Sequence, residues 1–141
     1  LRLYGFHFSL WLDEFATLWI VEANWGDVIP RTLEFQPHSA FYYLINWNFI
    51  HLLGESEIAL RIPSFLFGLG TIFFIFKAAQ LLAGTKAGLL AAGLAAVSPQ
   101  LVEQSANAWP YALGLLLTSV MLLGFAKVVM TGSPWGGFFL S

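Results

Sequence analysis

Residues 62–76, "IPSFLFGLGTIFFIF", contain no charged side chain, and the apolar character continues to Ala83 across the single charge of Lys77. Two more such stretches follow, at 87–102 and 109–126. A backbone placed in hydrocarbon must satisfy its own hydrogen bonds, and a helix does so within one segment. At 1.5 Å per residue each stretch approaches the thickness of a hydrocarbon core of about 30 Å, the second only just. Hydrophobic residues are 58% of the 141 and charged residues 10%, with a mean hydropathy of +0.74. Soluble domains hold closer to half apolar and a quarter charged residues. The sequence therefore predicts an all-α integral membrane protein: juxtamembrane helices followed by about three transmembrane helices.

A formal net charge of −2, with six Lys and Arg in the whole chain, excludes a nucleic-acid binder, which needs a basic footprint. The absence of cysteine excludes disulfides and thiolate chemistry. No signal-peptide pattern precedes the first stretch, and Leu1 is not a methionine. Near the other end, Ser133 and Pro134 suit the N-cap and first position of a helix that continues beyond the sequence. Both ends suggest a fragment of a longer membrane protein.

The first 57 residues differ in character. They hold seven of the eight acids, Asp13, Glu14, Glu22, Asp27, Glu34, Glu55 and Glu57, among dense aromatics. Two shorter apolar pieces, 10–21 and 39–53, fit interfacial or re-entrant helices. Their Trp and Tyr side chains suit the headgroup layer. Lys77, Lys86 and Lys127 flank the apolar stretches without neighbouring acids, which assigns those ends to the cytoplasm. The acidic N-terminal segment and the turn "SPQLVEQSANAWP" then share the opposite, outer side. Gly84, Gly88, Ala92 and Ala96, at four-residue spacing, with Ala87, Ala91 and Ala95 beside them, predict close helix packing in lipid.

The outer side collects Asp13, Glu14, Glu34, His38, Glu103, Gln104, Asn107 and Tyr111. A carboxylate beside a membrane is costly to desolvate unless it is paired, hydrated or lining a wet cavity. Adjacent residues point about 100° apart on a helix, so Asp13 and Glu14 face different surroundings. One could face a cavity; alternatively both are solvated first-turn acids following Ser9 and favoured by the helix dipole. Glu34 and His38 are four apart, the spacing of a divalent-cation pair on a helix, although Pro37 opposes a helix there. Arg61 stands near the start of a span, where the dipole disfavours a cation, and needs an anion: Glu57 four residues earlier, or a lipid or donor phosphate. Asn107 either meets a ligand or simply satisfies free backbone groups between two helices.

In order, "RLYGFHFSLWLDEFATLW", "QPHSAFYYLINWNFIHLLGESEIALRIPSFLFGLGTI" and "GTKAGLLAAGLAAVSPQLVEQSANAWPYALGLL" resemble the N-terminal part of polytopic glycosyltransferases that use lipid-phosphate sugars. This is the GT-C class, in the branch of the protein O-mannosyltransferases and aminoarabinose transferases. The resemblance implies that a first transmembrane helix ends near Gly5. It also implies three parts: 1–57, the end of that helix and an outer loop with juxtamembrane helices; 58–130, three transmembrane helices; 131–141, a loop and the start of another helix. By position, Asp13 matches the acid that orients or deprotonates an acceptor hydroxyl, Glu14 its supporting neighbour, His38 the histidine of "HPP", and Arg61 the arginine of "ALRLPS" near the donor phosphate. Glu103, Asn107 and Tyr111 join His38 and Arg61 as substrate-binding candidates. The implied ligands are a polyprenyl-phosphate sugar and the lipid bilayer, with a divalent cation left open.

The sequence also departs from that pattern. Ser39 and Ala40 replace two prolines, and Asn107 and Trp109 replace the Glu and Arg of "SQEARMYAL". The rival expectation is accordingly a non-catalytic relative that serves as a structural subunit of a larger membrane complex. A transporter is disfavoured, because no span has a central ionisable pair or a repeated Gly/Pro break.

Overall fold

The computed structural model describes residues 12–35 and 40–132, except for the side chain of Asp13. Every regular element among them is helical: α1 (Leu12–Val21), α2 (Trp25–Phe35), α3 (Ala40–Leu53), α4 (Glu57–Ala83), α5 (Thr85–Val97), α6 (Pro99–Ala106) and α7 (Tyr111–Thr131). The expectations at Gly5, Ser9, Pro37, His38, Ser133 and Pro134 lie outside the described residues, as does the side chain of Asp13.

α4 organises the bundle. It begins at a Ser56 cap whose side chain accepts the Ala59 N–H at 3.1 Å, with Glu57 in the first turn, where the helix dipole favours an acid. It ends at Gly84, whose φ of +84° is a left-handed conformation that glycine adopts without strain. Its 27 residues reach about 40 Å. Lys77 is accommodated inside it with its ammonium 5.9 and 5.7 Å from the rings of Phe73 and Phe76.

α5 folds back along α4 from Gly84. A Cβ on Gly88 would stand 3.0 Å from the Phe76 carbonyl oxygen and 3.1 Å from the Gln80 Cβ, so the two backbones approach as closely as glycine permits. The buried small residues of α5 are Gly88 and Ala95, whereas Ala96 is exposed. The four-residue row expected to pack therefore does so only in part. Four residues advance a helix by about 400°, and the row drifts off a straight contact line.

The second apolar stretch, 87–102, is not one helix. α5 stops at Val97, Ser98 takes a non-helical ψ of 121°, and α6 restarts at Pro99. The proline ring crowds the residue before it out of the α region, and its missing N–H costs nothing at a first helical position. The 13 residues of α5 reach only about 20 Å. Among the described residues two helices, α4 and α7, are long and apolar enough to cross a membrane. α7 packs along α4, with Gly70 facing Leu116, and turns Met121 and Phe125 outward at 74% and 67% exposure. Large apolar side chains in that position suit a lipid environment.

A hydrophobic core lies at one end of the bundle. Ile20, Val21, Val28, Tyr42, Tyr43 and Ile50 from α1–α3 pack against Ala59, Leu60, Ala108 and Leu113. Short polar contacts bind α1–α3 together: Trp47 donates from Nε1 to the Ala23 carbonyl at 2.8 Å, and Arg31 donates to the Trp19 carbonyl at 2.6 Å. The Arg31 guanidinium also lies 4.6 Å from the centroid of the Trp19 ring. α2 is a helix that the apolar pattern does not announce, because only Val28 and Thr32 turn inward and Pro30 interrupts the run.

Candidate functional site

At this end α1 meets the connection between α6 and α7. Glu14, 1% exposed, receives two parallel bonds from Arg61, from Nε to Oε1 at 2.9 Å and from an Nη to Oε2 at 2.7 Å. A third donor, the Ala108 N–H, reaches Oε1 at 2.8 Å. One turn along α1, the Thr17 hydroxyl donates to the Ala108 carbonyl at 2.9 Å. Burying two charges costs several kcal/mol each, of order, and only close geometry with further hydrogen bonds offsets that. The fork of a guanidinium on a carboxylate supplies such geometry, and the backbone N–H adds a further donor.

Arg61 thus finds its principal anion 47 residues away. Glu57, the partner offered by helical spacing, stands farther off at 3.9 Å and is half exposed. The guanidinium is 1% exposed and faces Glu14, which supplies the anion that its place near the start of α4 calls for.

The connection itself is tightly built. The Asn107 N–H closes α6 on the Glu103 carbonyl at 3.2 Å, and the Trp109 N–H folds back on the Asn107 carbonyl at 2.9 Å. The Ser64 hydroxyl reaches the Trp109 carbonyl at 3.5 Å and pairs with the Tyr42 hydroxyl at 2.8 Å. Burial pushes the Tyr42 hydroxyl above its ordinary pKa, with Tyr43 and Glu14 adding to the shift against the bond to Ser64, so it stays neutral.

Beside this connection a groove of about 660 Å³ runs between α3, α6 and α7. Gln100, Gln104, Trp109 and Tyr111 line it together with Leu113 and Leu117 of α7. The Trp109 and Tyr111 rings are 6.1 Å apart. None of the described lining residues is charged. Amides and exposed aromatic faces above an apolar wall can hold a hydroxylated ring and an attached apolar chain.

The expected residues therefore divide. Glu14, Arg61 and the Asn107 backbone come together, Tyr111 lines the groove at 60% exposure, and Glu103 is exposed on α6. Glu34 is exposed near the end of α2, which stops at Phe35. Among the described residues no three His, Cys, Asp or Glu side chains cluster as a cation site. Thr17, Trp109 and Gln100 enter the site without being singled out as ligands by the sequence. Thr17 carried one signal, a hydroxyl three residues from Glu14 on the same face of an apolar helix.

The sequence profile of the dolichyl-phosphate-mannose-protein mannosyltransferase family matches residues 37–141, well over half of the chain. The chain belongs to this family. No curated protein and no solved structure matches it. Membership indicates a glycosyltransferase of the GT-C kind and, with two apolar helices of spanning length, an integral membrane protein. The family implies a lipid-linked sugar donor in the membrane. The matched region holds α3–α7 and excludes the "WLDE" segment at 11–14, which the Glu14 to Ala108 bond joins to it.

Proposed function

We propose that this chain is the membrane part of a glycosyltransferase that moves a sugar from a polyprenyl-phosphate donor to an acceptor hydroxyl on the non-cytoplasmic side. Asp13 is the acceptor base. The acceptor oxygen forms a bond to the anomeric carbon from the face opposite the phosphate, inverting that centre. The bond from that carbon to the phosphate oxygen breaks, the proton passes to Asp13, and polyprenyl phosphate leaves. Glu14 is the supporting neighbour of Asp13 and holds the start of α1. Arg61 acts through Glu14. His38, Glu103, Asn107 and Tyr111 border the substrates.

The observation that carries this reading is the bond from the Ala108 N–H to Glu14, which brings the acidic segment against the connection 94 residues later. A base on the acceptor hydroxyl and a groove that holds a hydroxylated ligand are the minimum equipment for such a displacement. The uncharged side chains of Asn107 and Trp109 favour a second reading, a non-catalytic relative acting as a structural subunit of a larger membrane complex.

The test is Asp13→Asn in the full protein reconstituted in lipid, with dolichyl-phosphate mannose and undecaprenyl-phosphate sugars as donor probes. Loss of a general base lowers turnover by about 10² to 10⁴-fold. A variant that turns over like the parent removes Asp13 from the chemistry. A parent that transfers no sugar from any probe, yet co-purifies with an active enzyme, supports the subunit reading.

A further inference from the structure

The geometry points to Thr17 and Arg61 as positioning residues that set the Trp109 wall of the groove through a clamp on the Ala108 peptide. Glu14 and Thr17 are three residues apart and so lie on one face of α1. That spacing lets them grip both polar groups of a single residue, the N–H at 2.8 Å and the C=O at 2.9 Å. Thr17 and Ala108 are fully buried and Glu14 nearly so, and the grip is shielded from water. Arg61 engages both oxygens of the Glu14 carboxylate, which prevents that group from rotating away from the Ala108 N–H.

The residue after Ala108 is the groove aromatic Trp109, and its carbonyl is steadied from the other side by Ser64. A shift of the Ala108 peptide therefore moves Trp109 relative to Tyr111 and Gln104. The chemical consequence is on ligand fit in the groove. Loosening the clamp at Thr17, with the Glu14 bond to Ala108 retained, weakens ground-state binding and leaves the reacting groups in place, so KM rises while kcat changes little.

The experiment compares Thr17→Val, which keeps the shape and loses the donor, with Thr17→Ser, which keeps the donor and loses a methyl. Arg61→Lys, which keeps the charge and loses the fork, is the third variant. All are made in the full protein in lipid nanodiscs. Amide hydrogen exchange of peptides covering residues 105–111 should be about fivefold faster in Thr17→Val and Arg61→Lys and unchanged in Thr17→Ser, with α4 and α7 protected as in the parent. In transfer assays with dolichyl-phosphate mannose, Thr17→Val should raise KM for donor or acceptor several-fold at nearly constant kcat, and Thr17→Ser should not. Exchange that is unaltered in Thr17→Val, or a Thr17→Ser variant as impaired as Thr17→Val, overturns the clamp. The kinetic arm rests on the proposed function; a parent that transfers no sugar defeats that function alone, and the exchange arm still decides the clamp.

Discussion

Arg61 and Glu14 meet through two parallel bonds of 2.9 and 2.7 Å, each residue about 1% exposed, across 47 positions of sequence. The pair joins the first turn of α1 to the first turns of α4, and through Ala108 to the start of α7. Its net stabilisation need not be large, since desolvation consumes much of the attraction. Removing one partner is another matter, because an uncompensated charge then stays buried.

Arg61→Met should consequently destabilise the protein by about 3 to 5 kcal/mol. The double variant Glu14→Gln with Arg61→Met should recover most of that loss, because the Gln carbonyl still accepts the Ala108 N–H and no unpaired charge remains. Thermal unfolding in a mild detergent reads both. A double variant as unstable as Arg61→Met would show that the charge pairing is not what the single substitution breaks.

Tyr42 makes a pH-dependent contribution whose sign follows from its burial. Its folded pKa lies above the ordinary value of 10.0, so the folded state holds the proton more tightly than the unfolded state. The stability linked to this group is fully present below pH 10 and is lost as the pH rises above it. Tyr42→Phe should be weaker than the parent near neutral pH by about 1 kcal/mol, the Ser64 hydroxyl having lost the shorter of its two bonds. It should lose less stability than the parent between pH 10 and 11. Parallel curves for the two proteins across that interval would refute the assignment.

How far the structure could be read beforehand depended on the range of each interaction. The helical pieces at 39–53 and 109–126 correspond closely to Ala40–Leu53 and Tyr111–Thr131, because a helix in or against lipid is written in a local run of apolar residues. The break at Ser98 was also local, since Pro99 restricts the residue before it, but hydropathy averaged over the stretch conceals one backbone angle. α2 lacked a long apolar stripe. At the site, the need of Arg61 for an anion followed from its place on the helix, whereas the identity of that anion did not. Spacing along one helix offered Glu57; the choice of Glu14 arises only when α1 packs beside α4. The same holds for Thr17, whose bond to Ala108 spans 91 residues.

Gly88 provides a test of the packing between α4 and α5. A methyl group there would lie 3.0 Å from both the Cδ2 and the carbonyl oxygen of Phe76, and 3.1 Å from the Gln80 Cβ. The carbonyl belongs to the backbone of a long helix and cannot swing aside, so Gly88→Ala must separate the helices by a few tenths of an ångström. Overpacking of this kind costs about 1 to 3 kcal/mol, which outweighs the roughly 1 kcal/mol that alanine gains over glycine in helix propensity. Gly93 lies on the same helix with nothing within 4 Å of an added Cβ, and Gly93→Ala should collect the propensity gain alone. The two substitutions are chemically identical and five residues apart, yet the midpoint of thermal unfolding should fall for Gly88→Ala and rise for Gly93→Ala. A rise for both would mean that α5 does not rest on α4 through Gly88.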